Sequence, residues 1–301
     1  MIKHYKTLEG HQNPVYTLAG NQQQNVFYSA GNDKGIVEWN AVDISFSKVL
    51  MPVNSSVYSL LYHDEKLYIG QRSGMVSCLN LQENKLYKFA NHHHQAVFDI
   101  KALADKKEII TTGEDGLINV WSHVDGKHIY SFKSAETTVR TIAVSNDGKE
   151  FAVGSKDGFI KIYSTIDFSE IAQFQAHNMP VTSLVYHPHN NLLLSGGRDA
   201  QLKIWDIKTG YKLQQALSAH WYSIYSIVFH PSLNIVATAS QDKSIKIWDA
   251  KDFRLLKIMN LEKLGVGHTH SINKIIWSPD GKFLISTGDD KNILIWTFDI
   301  D

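Results

Sequence analysis

The sequence predicts an all-β fold built from seven copies of one four-stranded antiparallel sheet, and three observations point to it. Short runs closing on an aromatic residue recur along the chain: GIVEWN (35–40), GLINVWS (116–122), GFIKIYS (158–164), QLKIWD (201–206), SIKIWD (244–249) and NILIWT (292–297). A weaker copy, GMVSCLN, lies at 74–80. Their key residues are Trp39, Leu79, Trp121, Tyr163, Trp205, Trp248 and Trp296, spaced 40, 42, 42, 42, 43 and 48 apart. A steady period of this size marks a repeat architecture. Within each run apolar residues alternate, as in Leu202 and Ile204 or Ile245 and Ile247, which is strand periodicity. Turn chemistry separates the runs: Glu114-Asp115-Gly116 and Lys156-Asp157-Gly158 read as tight hairpin turns, and Asn146-Asp147-Gly148 and Pro279-Asp280-Gly281 mark a second turn position.

A unit of about 42 residues holds roughly four short strands. One such sheet cannot bury both of its faces, whereas radial stacking of several does so and leaves only short edges. The 301 residues therefore read as a single domain, 1–301, with no convincing amphipathic helix. At 43% apolar residues the chain can build a sizeable core without disulfides or metals. Thirty basic residues balance thirty acidic ones, so no whole-molecule field draws the protein to nucleic acid or to an anionic membrane. Cys78 is the sole cysteine, which rules out an internal disulfide and fits a reducing compartment. The opening MIKHYKTLEG has no apolar stretch of signal-peptide type, and no run has the length of a membrane span. The expectation is a soluble, cytoplasmic protein.

The run IWD stands at 204–206 and 247–249, Gly10-His11 and Gly267-His268 stand near repeat starts, and Ala176-His177 and Ala219-His220 are variants of that pair. On these motifs the sequence resembles the WD-repeat β-propeller family over essentially its whole length. The resemblance implies a seven-bladed β-propeller and, in each repeat, a structural tetrad of His, Ser or Thr, Asp and Trp. Five repeats keep all four: His11, Ser29, Asp33, Trp39; His93, Thr111, Asp115, Trp121; His177, Ser195, Asp199, Trp205; His220, Thr238, Asp242, Trp248; and His268, Ser286, Asp290, Trp296. The second repeat has Val53, Ile69, Ser73 and Leu79 instead, and the fourth has Ala135, Val153, Asp157 and Tyr163. Replacing a whole buried polar network by apolar groups is nearly neutral, so both remain credible blades. The last repeat runs out after its third strand, and HYKTLEGH matches other stretches that precede a tetrad histidine, such as LQQALSAH. Residues Ile2 to Leu8 are therefore expected to supply the fourth strand of the last blade and close the ring.

A hydroxyl, a histidine and an aspartate recurring together resemble hydrolase triads. Five equivalent copies argue instead for a structural role, and no oxyanion-hole motif accompanies them. His92-His93-His94 suggests a metal site, but His93 belongs to a tetrad and successive strand residues face opposite ways. No Cys-x-x-Cys, phosphate loop or dinucleotide fingerprint is present. Cys78, among apolar strand neighbours, reads as an inert core thiol. No catalytic residue, cofactor or metal is expected.

The resemblance also implies partner binding on the narrow face, around the central channel, and two contact positions carry over by register. One lies five residues after the tetrad histidine: Tyr16, Tyr58, Phe98, Arg140, Thr182, Tyr225 and Asn273. The other immediately precedes the tetrad aspartate: Asn32, Arg72, Glu114, Lys156, Arg198, Gln241 and Asp289. Exposed aromatics and arginine are the residue types of binding hot spots. Arg72, Arg140, Lys156 and Arg198 together form a basic sector, interrupted by Glu114 and Asp289. The expected function is a non-enzymatic scaffold, monomeric or a subunit of a larger complex. Its partner is a protein or peptide with an apolar or aromatic anchor and acidic groups. The alternative is a nucleic-acid-binding propeller that uses the same basic sector, which the zero net charge disfavours. Plugging of the channel mouth is the structural role open to the aromatics. The long spacing before Trp296 places an insertion at Met259–Gly267, and Trp221 is a further candidate contact.

Overall fold

The seven recurring runs, six of them carrying an aromatic residue and one Leu79, are the third strands of seven four-stranded sheets in a computed structural model that describes residues 2–21, 25–89 and 92–298. The chain opens with β1 (Ile2–Leu8). Then come four strands of one sheet, β2 (Val15–Asn21), β3 (Val26–Gly31), β4 (Gly35–Asn40) and β5 (Ser45–Pro52). The next sheet is β6 (Val57–His63), β7 (Lys66–Gln71), β8 (Val76–Asn80) and β9 (Lys85–Lys88). The third is β10 (Val97–Leu103), β11 (Glu108–Gly113), β12 (Leu117–Ser122) and β13 (His128–Lys133). The fourth is β14 (Val139–Val144), β15 (Glu150–Ser155), β16 (Phe159–Ser164) and β17 (Glu170–Gln175). The fifth is β18 (Val181–Tyr186), β19 (Leu192–Gly197), β20 (Gln201–Asp206) and β21 (Lys212–Ser218). The sixth is β22 (Ile224–Phe229), β23 (Ile235–Ser240), β24 (Ile245–Asp249) and β25 (Leu255–Met259). The last holds β26 (Ile272–Trp277), β27 (Phe283–Gly288) and β28 (Ile293–Phe298), with β1 as its fourth strand. The insertion before the last sheet contains a single helical turn, α1 (Leu261–Leu264). The Asn260 side chain caps it by accepting the Lys263 N–H at 2.9 Å.

The chain forms two compact units, residues 1–62 with 225–301, and residues 63–224. In the first unit β1 runs antiparallel to β28, with Ile2 opposite Phe298 and Leu8 opposite Ile293. The N-terminal strand thus completes the last sheet, as the sequence predicts. Its Leu8 joins a core with Leu18, Phe27 and Trp39 of the first sheet and Ile285, Ile293 and Ile295 of the last. Sheet-to-sheet packing explains why the middle strands are apolar on both faces: each side meets a different neighbour.

The second unit repeats that logic. One core joins Ile110, Ile118 and Val120 to Ile142, Phe151 and Val153 of the following sheet. Another joins Ala152, Ile160 and Ile162 to Val181, Leu193 and Trp205. Every described residue in these lists is nearly or fully buried, so the strands of each sheet are held by side chains from the next.

Close backbone approach fixes one residue type. Where a sheet's first strand meets its second, Gly31, Gly113 and Gly288 face carbonyl oxygens of the incoming loop; a methyl group at Gly288 would sit 2.0 Å from the Ser271 oxygen. Gly288→Ala is expected to destabilise by about 1–3 kcal/mol through forced backbone shifts. A fall in the denaturation midpoint at constant m-value checks it.

Candidate interaction surfaces

The tetrads form the frame on which any site stands. In the last sheet the Trp296 indole N–H donates to the Ser286 hydroxyl at 2.9 Å. That hydroxyl lies 2.8 Å from His268 Nε2, and His268 Nδ1 lies 2.8 Å from Asp290 Oδ2. The donor order follows from the ends: an indole only donates and a carboxylate only accepts, so the hydroxyl donates to Nε2 and Nδ1–H donates to the aspartate. The same chain of contacts joins Trp39, Ser29, His11 and Asp33. It recurs in Trp121, Thr111, His93 and Asp115, and in Trp205, Ser195, His177 and Asp199. In the sixth repeat Trp248 donates to Thr238 at 2.9 Å. Ser29, Thr111, Ser195, Thr238 and Ser286 are all fully buried, so no substrate reaches these hydroxyls. Burial pushes the carboxyls of Asp115, Asp199 and Asp290 up, but their hydrogen bonds and charge interaction with His93, His177 and His268 outweigh it and hold all three below the usual range.

The first set of contact positions has a backbone cause. Tyr16, Phe98, Arg140, Thr182 and Asn273 each sit at a register shift between the first and second strands of their sheets, one residue after the strand begins. A bulge leaves that residue out of the ladder and re-aims its side chain. Arg140 is exposed there, whereas the aromatic side chains are partly covered. In the first unit Tyr16 and Tyr58 are partly buried and pack on one another, ring centroids 5.2 Å apart, and Tyr225 is also partly buried. Asn273 is spent on the Val15 carbonyl and Asp289. In the second unit the Arg140 guanidinium covers the Phe98 ring at 4.8 Å, a cation–π contact, and Thr182 bonds the Ile224 carbonyl at 2.6 Å. A ring beside the next sheet's ring is buried by it, which sequence register alone does not reveal.

The second set is fixed by another backbone contact. The N–H groups of Asn32, Glu114, Lys156, Arg198 and Asp289 each donate to a carbonyl in the loop entering their sheet, at 2.8–2.9 Å. Each side chain is thereby held at the loop end of its sheet. Asn32 accepts from the Ser56 hydroxyl at 2.7 Å, while Gln241 is exposed. Arg72, Lys156 and Arg198, like Arg140, are exposed, and among the described residues none of the four forms an ion pair.

The two departing repeats build other networks. In the second, Val53, Ile69 and Leu79 are buried and need no polar partner. Nearby, the Tyr68 hydroxyl meets His123 Nδ1 at 2.6 Å, and His123 Nε2 meets Asp64 at 2.9 Å. In the fourth, the Tyr163 hydroxyl lies 3.0 Å from Ser134, and Asp157 accepts from the Ser155 hydroxyl and the Phe159 N–H. Burial raises the Cys78 thiol to about 11, the condition of an inert core thiol. His92 stacks on His128 at 3.7 Å while His93 turns inward to Asp115, so these two imidazoles face different partners. Among the described residues no group of three or more His, Cys, Asp or Glu is placed to hold a metal ion. Among the described residues no helix is long and apolar enough to cross a membrane.

A sequence profile of the WD domain, G-beta repeat, matches residues 2–40, 83–122, 126–164, 168–206, 211–249 and 261–297. The chain belongs to the WD-repeat family. The six matches skip the second WD repeat, which lacks the tetrad; five of them begin on or just before the fourth strand of the preceding blade, and the last begins in α1. The WD40 propeller fold is generally a non-enzymatic scaffold that binds proteins and sits in complexes. Among curated proteins the chain is similar to Polyadenylation factor subunit 2 of Cryptococcus neoformans, 24% identical over 113 residues, 36% of this chain and 16% of that protein. It is also similar to Apoptotic protease-activating factor 1 of Mus musculus, 27% identical over 85 residues, 28% of this chain and 7% of that protein. The matched part is thus a small fraction of either relative's length.

Two features of the WD repeats escaped the sequence reading. Asp99 on β10 accepts the Ile142 N–H of the next blade at 2.9 Å and pairs with Lys101 at 3.1 Å, stapling β10 to β14. Thr17 makes the same bond to the Leu60 N–H at 3.1 Å, so a small or acidic acceptor at this place is the signal. Met179 and Tyr222, in loops after tetrad histidines, are exposed, as is the anticipated Trp221.

Proposed function

We propose that the chain is a non-enzymatic interaction scaffold, one propeller domain over 1–301, that binds a protein or peptide partner on the narrow face around the central channel. The observation that carries this is the set of four exposed cations in the second unit, Arg72, Arg140, Lys156 and Arg198, none of them neutralised by an ion pair within the described residues. Uncompensated charge on fixed backbone positions suits an acidic segment of a partner. Tyr16, Tyr58 and Tyr225, with Asn32 and Gln241, supply aromatic and polar surface at the matching positions of the first unit. A single-stranded nucleic acid needs open ring faces to stack on, and Phe98 is covered by Arg140. The similarity to a polyadenylation factor subunit supports a role inside an assembly.

The test is affinity capture from nuclease-treated extract with the intact chain and with the Tyr16→Ala, Tyr58→Ala, Arg140→Ala triple variant, whose folding is checked by melting. Partners retained by the intact protein and lost by the variant are expected. An unchanged partner set rejects narrow-face binding. Partners captured from untreated extract but absent from the nuclease-treated one favour the nucleic-acid reading.

A further inference from the structure

We infer that Met179, Arg198, Trp221 and Tyr222 of the second unit form one docking patch for a partner peptide carrying a carboxylate beside a bulky apolar side chain. This rests on the scaffold reading above and gives it a specific anchor. Trp221 is 85% exposed, Tyr222 61% and Met179 42%. An indole left this open in a soluble fold marks an interaction site more than any single exposed leucine does.

Backbone bonds tie together the three segments that carry these residues. The Arg198 N–H donates to the Pro180 carbonyl at 2.8 Å, which seats the β19–β20 turn against the loop carrying Met179. The His220 N–H donates to the Ala200 carbonyl at 3.2 Å, which seats the same turn against the loop carrying Trp221 and Tyr222. Arg198 therefore lies on the turn to which both loops are tied. The patch is also rigid: His177 bonds Asp199 at 2.9 Å, locking the first loop to the turn.

The charge of the patch selects its occupant. Asp199, adjacent to Arg198, is consumed by His177 and by the Gln201 N–H at 3.2 Å. Arg198 has no ion pair among the described residues, so the patch presents one guanidinium framed by apolar groups. A guanidinium pairs best with a planar carboxylate. Its setting is one in which the apolar side chain next to that carboxylate has methionine and aromatic surface to cover.

The experiment is selection of random twelve-residue peptides displayed on phage against the full chain, followed by affinity measurement with synthetic copies of the enriched peptides. Enrichment of Asp or Glu within three positions of Trp, Phe, Leu or Ile is expected. Trp221→Ala and Arg198→Ala should each weaken binding about tenfold or more. Arg198→Glu should bind again when the peptide's acid is changed to Lys. Both substitutions are on exposed side chains, and unchanged melting confirms folding. Enriched peptides that ignore Trp221→Ala and Arg198→Ala but are lost on Tyr16→Ala, Tyr58→Ala overturn the patch and leave narrow-face scaffolding standing. The absence of any enriched peptide overturns the patch as well, and the capture experiment then decides the scaffold reading by itself.

Discussion

Removing residues 1–9 lowers the melting temperature by roughly 10–20 °C, the shift that corresponds to a loss of about 5 kcal/mol in a chain of this size class. The estimate comes from what β1 covers. It pairs along β28 from Ile2 opposite Phe298 to Leu8 opposite Ile293. Leu8 leaves the core it shares with Trp39 and Ile295. His4 leaves the edge of Trp296 at 5.6 Å, and Lys6 releases the Ile44 carbonyl it holds at 2.7 Å. Deleting one buried leucine from a core costs about 2–5 kcal/mol, and unmade hydrogen bonds add to it. The truncated protein also gains a bare β28 edge, which recruits strands from other molecules. Size-exclusion chromatography should show association at concentrations where the full chain elutes unchanged. A synthetic peptide of residues 1–9 should restore the melting temperature as its concentration rises, because a ligand of the folded state stabilises by mass action. A truncated chain that melts with the full-length curve rejects the role given to β1.

The pairing of β1 was legible because a repeat short of one strand at its end, and a stretch before the first histidine that matches other pre-histidine stretches, point to each other without any structure. The tetrads were legible for the same reason: period and spacing repeat. What repetition does not encode is less accessible. Tyr68 and His123 are 55 residues apart and each occurs at its place once, so no pattern announces their contact. The bulges that re-aim Tyr16, Phe98 and Arg140 arise from strand register, and the pairing of Tyr16 with Tyr58 depends on where the next sheet's ring arrives. The exposure of Met179 and Tyr222 depends on loop packing, and loops lack the periodicity that makes strands readable.

The tetrads allow a comparison inside one molecule. In the last repeat Asp290 accepts from His268, from the Thr269 N–H at 2.9 Å and from the Asn292 N–H at 3.3 Å. Asp290→Ala strands the Nδ1–H of a buried histidine and both amides, and is expected to cost about 3 kcal/mol. Asp199→Ala, in the same setting with His177, should cost a similar amount. Asp157 of the fourth repeat has no histidine opposite it, because Ala135 stands there, and among the described residues its carboxylate holds only the Ser155 hydroxyl and the Phe159 N–H. Asp157→Ala should therefore cost about 1 kcal/mol. Chemical denaturation of the three variants checks the order. The pH dependence follows from the sign of the shifts. The folded carboxyls of Asp115, Asp199 and Asp290 lie below their ordinary value of 3.8, so the folded state binds fewer protons there than the unfolded chain. Their contribution is complete above the unfolded value and is lost as pH falls through the folded one. Acid should thus destabilise the intact protein below about pH 4, and Asp290→Ala should flatten that slope. A variant as stable as Asp157→Ala, with an unchanged acid limb, would show that the histidine–aspartate contact is not what holds these loops to their turns.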